Sequence, residues 1–225
     1  MSISLDEAVE LTRTGDVWVF RGRSVPDRAI QFTTNSPVNH VGMAVVLDDM
    51  PPLMWHAELG RSLPDLWSGS HQRGVQLHDL RDAVCVWANR YGQRAWLRQL
   101  DPPADGEMER AVLRTVARLD GTPFPSTAQL AWRWVRGRVP ALPRPGRNAP
   151  ASTPASTPSP GQRDRALETA YCAEVVAVTY EAMGLLPAGR RPNWYDPGRF
   201  WSGDDLGLAT GARLGTEIEV RVPAR

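Results

Sequence analysis

Cys172 falls in the first turn or two of a segment, about Leu167 to Met183, whose apolar residues recur at helical spacing. A thiol placed there lies near unpaired N–H groups and the positive end of the helix dipole, which lower its pKa and can donate to an oxyanion, as a cysteine nucleophile requires. Cys172 also shares a stripe with Val175, Val176, Thr179, Ala182 and Met183, and a cysteine so placed is by default a buried packing residue. On the residues alone both readings stand. His40 opens one apolar run, His56 and Glu58 lie on the next, and Tyr171 directly precedes the thiol. His40, His56 and Glu58 are all even-numbered, so an even-sum hairpin register would bring them to one face of a sheet. Taken singly, His40 reads equally as a polar strand end and His56 as a satisfied, partly buried ring. Cys85 alternates with Val84 and Val86 and reads as core; His71 and His78 flank Gly74 to Leu77 with no metal-like spacing and read as surface or rim residues. No metal or cofactor is expected.

These residues need elements to position them. Ser4 and Glu7 have the spacing of a capping box, and a short helix follows before Gly15. Asp16 to Phe20 reads as a strand, because β-branched and aromatic residues crowd it. His40 to about Leu47 and Leu53 to Leu59 form a hairpin across Asp48 to Pro52, and further strands are expected at Gly74 to Leu80, Val84 to Ala88 and Glu217 to Val222. Met108, Ala111, Val112, Thr115, Val116 and Leu119 recur at helical spacing, with Asp105 as one cap and Gly121 as the other. From about Arg138 to Gln162 the chain is crowded with Pro, Ala, Ser and Thr and contains the near repeat Ala151-Ser-Thr-Pro, Ala155-Ser-Thr-Pro, a composition that buries too little apolar surface to order itself. The expectation is one α+β domain over residues 1–225, interrupted by a disordered insertion.

Asn39-His40-Val41-Gly42-Met43, Trp55-His56-Ala57-Glu58 and Tyr171-Cys172-Ala173-Glu174-Val175-Val176, in that order, resemble the circularly permuted branch of the NlpC/P60 papain-like superfamily, the YiiX-like and YaeF-like proteins, to which the lecithin:retinol acyltransferase-like proteins are related. The likeness covers about Gly15 to Leu80 and Thr169 to Phe200, and takes in Gly121-Thr122-Pro123-Phe124. It implies a permuted papain-like fold, an antiparallel sheet packed against helices with the nucleophile at the N-terminus of a late helix. It implies Cys172 as nucleophile and His40 as the base that takes its proton, which would set the sulfur within about 3 to 4 Å of a ring nitrogen. The third member falls at position 56, where the family commonly has Glu and this chain has His56. A neutral imidazole can accept the base's hydrogen bond and fix its tautomer, so His56 is favoured, with Glu58 as the alternative. The Tyr171 hydroxyl either helps shape the oxyanion site or its ring simply packs.

Composition narrows the partners. The 225 residues carry a formal net charge of +1, and all 26 basic residues are arginine, so no overall field draws the chain to nucleic acid or an anionic membrane. Two cysteines far apart form neither a disulfide framework nor a four-ligand zinc site. With no export signal at the N-terminus and no run of about 18 apolar residues, the expected compartment is the cytoplasm. Gln129 to Arg136 interleaves Trp, apolar residues and Arg; core packing is favoured over peripheral membrane contact. The expected activity is a cysteine-dependent hydrolase or acyltransferase, passing through a thioester on a small-molecule, peptide or lipid-derived amide or ester. The alternative is a non-catalytic ligand- or lipid-binding protein that keeps the fold.

Overall fold

The computed structural model describes residues 1–22, 37–123, 160–188, 194–201 and 206–224, with side chains of the last helix described from Tyr171 onward. Its elements in chain order are β1 (Ser2–Ser4), α1 (Leu5–Leu11), β2 (Val17–Arg21), β3 (His40–Val45), β4 (Leu53–Glu58), β5 (Gly74–Asp79), α2 (Leu80–Tyr91), β6 (Arg94–Arg98), β7 (Leu100–Asp101), α3 (Gly106–Leu119), α4 (Pro160–Ala182), β8 (Arg213–Leu214) and β9 (Ile218–Arg221). Seven strands form one sheet in the order β1-β9-β6-β2-β3-β4-β5, antiparallel except for the β1–β9 pair; β7 and β8 form a small ribbon. This is a mixed α+β architecture with a mostly antiparallel sheet packed against helices.

The register decides which face each side chain takes. Val17 pairs with Met43, Met43 with Trp55, and Trp55 with Leu77. Because strand side chains alternate, odd-numbered residues of β2 to β5 share one face and even-numbered residues the other. Both faces are buried, as the near-continuous burial of these strands requires. Val17, Val19, Val41, Met43, Trp55 and Leu77 pack with Val112 and Val116 of α3 and with Cys172, Val176 and Tyr180 of α4. Trp18, Phe20, Ala44 and Met54 pack with Leu5 and Ala8 of α1 and with Leu80, Val84 and Trp87 of α2. Two buried hydrogen bonds fix α4 to its side: Trp55 Nε1 donates to Thr179 Oγ1 at 3.0 Å, and the Tyr180 hydroxyl donates to the Gly15 carbonyl at 2.6 Å.

Several local expectations meet their caps. Ser4 and Glu7 form the reciprocal capping box of α1, and the Asp105 side chain accepts from the Glu107 and Met108 amides at the head of α3. Val84 to Ala88 is not a strand. It lies within α2, where Asp79 caps the start by accepting from the Asp82 amide and Gly92 closes the end at φ 63°. Leu80, Ala83, Val84 and Trp87 form a helical stripe, and the three-residue alternation around Cys85 was too short to outweigh it; Cys85 is still a core residue. The expected insertion lies outside the described residues over 138–159, and so does the Gln129 to Arg136 segment. Residues 160–162, at the far end of the expected insertion, are helical.

Candidate functional site

Three of the chain's four histidines converge on the even-numbered face. His40 opens β3, held there by the Asn39 amide donating to the Phe20 carbonyl at 2.9 Å. His56 lies on β4 opposite Gln76, and His78 on β5 opposite Met54. Gly42 makes room for them: a Cβ there would come within 2.4 Å of Met54 Sδ and 3.3 Å of His56 Cβ. Trp87 of α2 covers the group edge-on, with ring centroids 4.8 Å from His40 and 4.9 Å from His56.

The rings are joined in series. His40 Nε2 lies 3.2 Å from His56 Nδ1, His56 Nε2 lies 3.0 Å from His78 Nδ1, and His78 Nε2 lies 3.2 Å from Gln76 Oε1. Gln76 fixes the direction of this chain. Its amide nitrogen faces three carbonyls, donating to Gln72 O at 2.9 Å, Gly74 O at 3.3 Å and Glu58 O at 3.4 Å, so its oxygen is left to accept from His78. Glu58, on the same face, accepts from Ser62 Oγ at 2.5 Å and from the Ser62 amide at 3.3 Å. His40 therefore meets His56 rather than Glu58.

Burial keeps the rings neutral. Loss of water holds His40 down to about 3, with the repulsion a protonated His78 would exert a smaller cause. His56 is held well below its ordinary value by burial and then by His78 and His40. His78 is also lowered by burial, although Glu58 and Asp65 pull the other way. A base with a pKa near 3 takes protons poorly at neutral pH. Neutral imidazole, by contrast, is the form that binds metals. His56, Glu58 and His78 each offer a ligand atom, all within 4.8 Å of one another.

The thiol lies elsewhere. Cys172 is fully buried in the odd-face core with Val41, Met43 and Trp55, and Tyr171 is buried beside it. The structure thus brings together His40, His56 and Glu58 and sets Cys172 and Tyr171 on the other face of the sheet. Cys172 is also not at a helix N-terminus: α4 begins at Pro160, which leaves the thiol in the middle of its 23 residues, away from the unpaired amides that would have lowered its pKa. The apolar stripe was legible, but the polar residues before Leu167 continue the helix.

His78 and Gln76 were missed as site residues. Far from being a rim residue, His78 is 1% exposed, and Gln76 is fully buried. The available signal was parity: β5 carries the even numbers 76 and 78 beside the even numbers 56 and 58. Contiguous spacing gave no metal set because the ligand atoms come from adjacent strands. Among the described residues no helix is long and apolar enough to cross a membrane.

No family model matches the chain, and no curated protein does. Among solved structures it is similar to one described as the metalloprotein YiiX, DUF1105, from Escherichia coli O157:H7, at 20% identity and a TM-score of 0.44; the match covers 76% of this chain and spans 65% of that protein's length.

Proposed function

We propose that this chain binds a zinc-class divalent metal ion through His56, Glu58 and His78. The observation that carries the reading is the convergence of two buried neutral imidazoles and one buried carboxylate from β4 and β5. Two nitrogens bound to one zinc at about 2.0–2.1 Å with tetrahedral angles stand about 3.3 Å apart; His56 Nε2 and His78 Nδ1 are 3.0 Å apart. The other ring nitrogens face His40 and Gln76, and His78 also hydrogen-bonds the Leu63 main chain; the facing pair, His56 Nε2 and His78 Nδ1, is the one placed to share an ion. Ser62 holds the carboxylate, and Gln76 holds His78 in the tautomer whose Nδ1 lone pair is available. An ion held by three protein ligands has a fourth position for water or a substrate atom, and it lowers the pKa of such a water, the chemistry of metal-assisted hydrolysis.

Isothermal titration of zinc into chelator-stripped protein tests this reading. One saturable site is expected, weakened by His78→Ala and by Glu58→Gln. Failure to bind zinc, or binding indifferent to both changes, would sink it.

A permuted NlpC/P60-like thiol hydrolase or acyltransferase is the second reading. Its support is the order of the His40, His56 and Tyr171-Cys172 motifs, together with a His56 ring that meets His40 at 3.2 Å. It requires Cys172 to reach the histidine face. Mass spectrometry after exposure to ester, thioester and amide probes decides it: an adduct on Cys172 that is lost in His40→Ala would favour this route, and no adduct would end it.

A further inference from the structure

Resting on the metal reading, we infer that His40 is a positioning residue for the metal ligand His56, and that metal entry inverts the tautomers of His40 and His56 while leaving those of His78 and Gln76 unchanged. With Gln76 Oε1 accepting, His78 carries its proton on Nε2 and presents a lone pair at Nδ1. That lone pair accepts from His56 Nε2–H, so His56 Nδ1 is bare and accepts from His40 Nε2–H. In the metal-free protein all three neutral rings therefore carry their proton on Nε2.

A metal between His56 and His78 needs lone pairs on both facing nitrogens. His78 Nδ1 already has one. His56 does not: its Nε2 proton must be given up and Nδ1 must gain one, so that the ring stays neutral and becomes a ligand. The His56 Nδ1–H now points at His40 Nε2, which must accept it. His40 in turn moves its own proton from Nε2 to Nδ1. Each ring loses one proton and gains one, so the histidines release none overall. His40 thus comes to do for His56 what Gln76 does for His78: each accepts the outer ring N–H of a metal ligand. Gln76 cannot exchange its role, because its amide nitrogen is committed to the carbonyls of Gln72, Gly74 and Glu58. Outer partners of this kind typically change metal affinity by about 10- to 100-fold.

The experiment uses the full-length, uniformly ¹⁵N-labelled protein and long-range ¹H–¹⁵N imidazole spectra, first metal-free and then with one equivalent of zinc, beside zinc titration calorimetry. The metal-free spectrum should show Nε2–H on His40, His56 and His78. Zinc should convert His40 and His56 to Nδ1–H and leave His78 as Nε2–H. His40→Leu, which cannot accept, should bind zinc about 10- to 100-fold more weakly, and His40→Gln, whose carbonyl can accept, should recover most of that loss. Zinc binding with His40 still in the Nε2–H form, or a metal-free chain of the opposite polarity, overturns the inference while leaving the metal reading standing. Absence of saturable zinc binding overturns both. If His40→Leu fails to fold, the wild-type tautomer spectra and the His40→Gln affinity still decide the matter.

Discussion

Replacing Gln76 by Glu tests the residue that gives the histidine chain its direction. The side chain is fully buried, and its amide nitrogen lies 2.9, 3.3 and 3.4 Å from three main-chain carbonyl oxygens. In Gln76→Glu an acceptor oxygen replaces that donor. The three carbonyls lose their partner, at about 1–3 kcal/mol for the one short bond alone, with less for the two long ones. If the new carboxyl ionises, a buried charge faces three acceptors with only the His78 N–H to offset it, and breaking a buried polar arrangement in this way costs about 3–5 kcal/mol. The variant should therefore lose about 3–5 kcal/mol at pH 7. The sign with pH follows: burial among acceptors raises the folded pKa of the introduced carboxyl above its unfolded value, so the penalty is small below the unfolded value and grows as pH rises through and beyond it. Urea denaturation of wild type and variant at pH 4.5 and 7, compared by midpoint with the slope checked, measures both. A loss under about 1 kcal/mol at pH 7 would mean that the three carbonyls do not engage this amide, and the assigned direction of the chain would be wrong.

Three further outcomes follow. Alkylation of Cys172 in the native protein should run at least about a thousandfold slower than in denaturant, since exposing a fully buried thiol draws on a stability of about 5–15 kcal/mol; rapid stoichiometric labelling at neutral pH would refute the placement of this thiol in the core. Thr179→Val removes the acceptor of the Trp55 indole N–H and should cost about 1–3 kcal/mol in chemical denaturation, and a change near zero would show that α4 is not tied to β4 there. Asp120 is raised to about 6, by burial first and by Asp65 next, so it opposes folding where the unfolded carboxyl is ionised: stability conferred by the wild-type residue relative to Asp120→Asn should fall as pH rises from about 4 to 6. Melting curves of the two proteins across that window should diverge in that direction, and parallel curves would count against it.

Much of the framework was legible because the relevant physics is local. The Ser4–Glu7 box, the Asp105 cap and the strand at Val17 to Arg21 each rest on a few neighbouring residues. Parity also carried a long way, since the β3–β4 pairing of Met43 with Trp55 turns His40, His56 and Glu58 to one face. What was not legible depends on partners distant in sequence. Whether Val84 to Ala88 bends into a helix is decided by Asp79 and Gly92 outside the run, and whether α4 starts near Leu167 or at Pro160 cannot be read from its apolar stripe. His78 looked peripheral because its surroundings are supplied by β4 and Gln76.

The position of Cys172 shows how a motif can be present while the chemistry it suggests depends on something the motif does not contain. Strand alternation fixes the face of His40 through its pairing with Phe20, and α4 selects the opposite face through Thr179 and Tyr180. Neither choice involves the cysteine. For the thiol and the imidazole to meet, α4 would have to give up the Trp55 and Tyr180 hydrogen bonds, or β3 would have to slip by one residue. The slip would turn His40 toward the apolar odd face and send Val41 and Met43 to the side where His56 and His78 now pair, leaving imidazole nitrogens buried without partners, at about 1–3 kcal/mol each. The histidine chain and the core around Cys172 therefore reinforce one register. That mutual support ties the site to the even-face side chains His40, His56, Glu58, Gln76 and His78 rather than to Cys172.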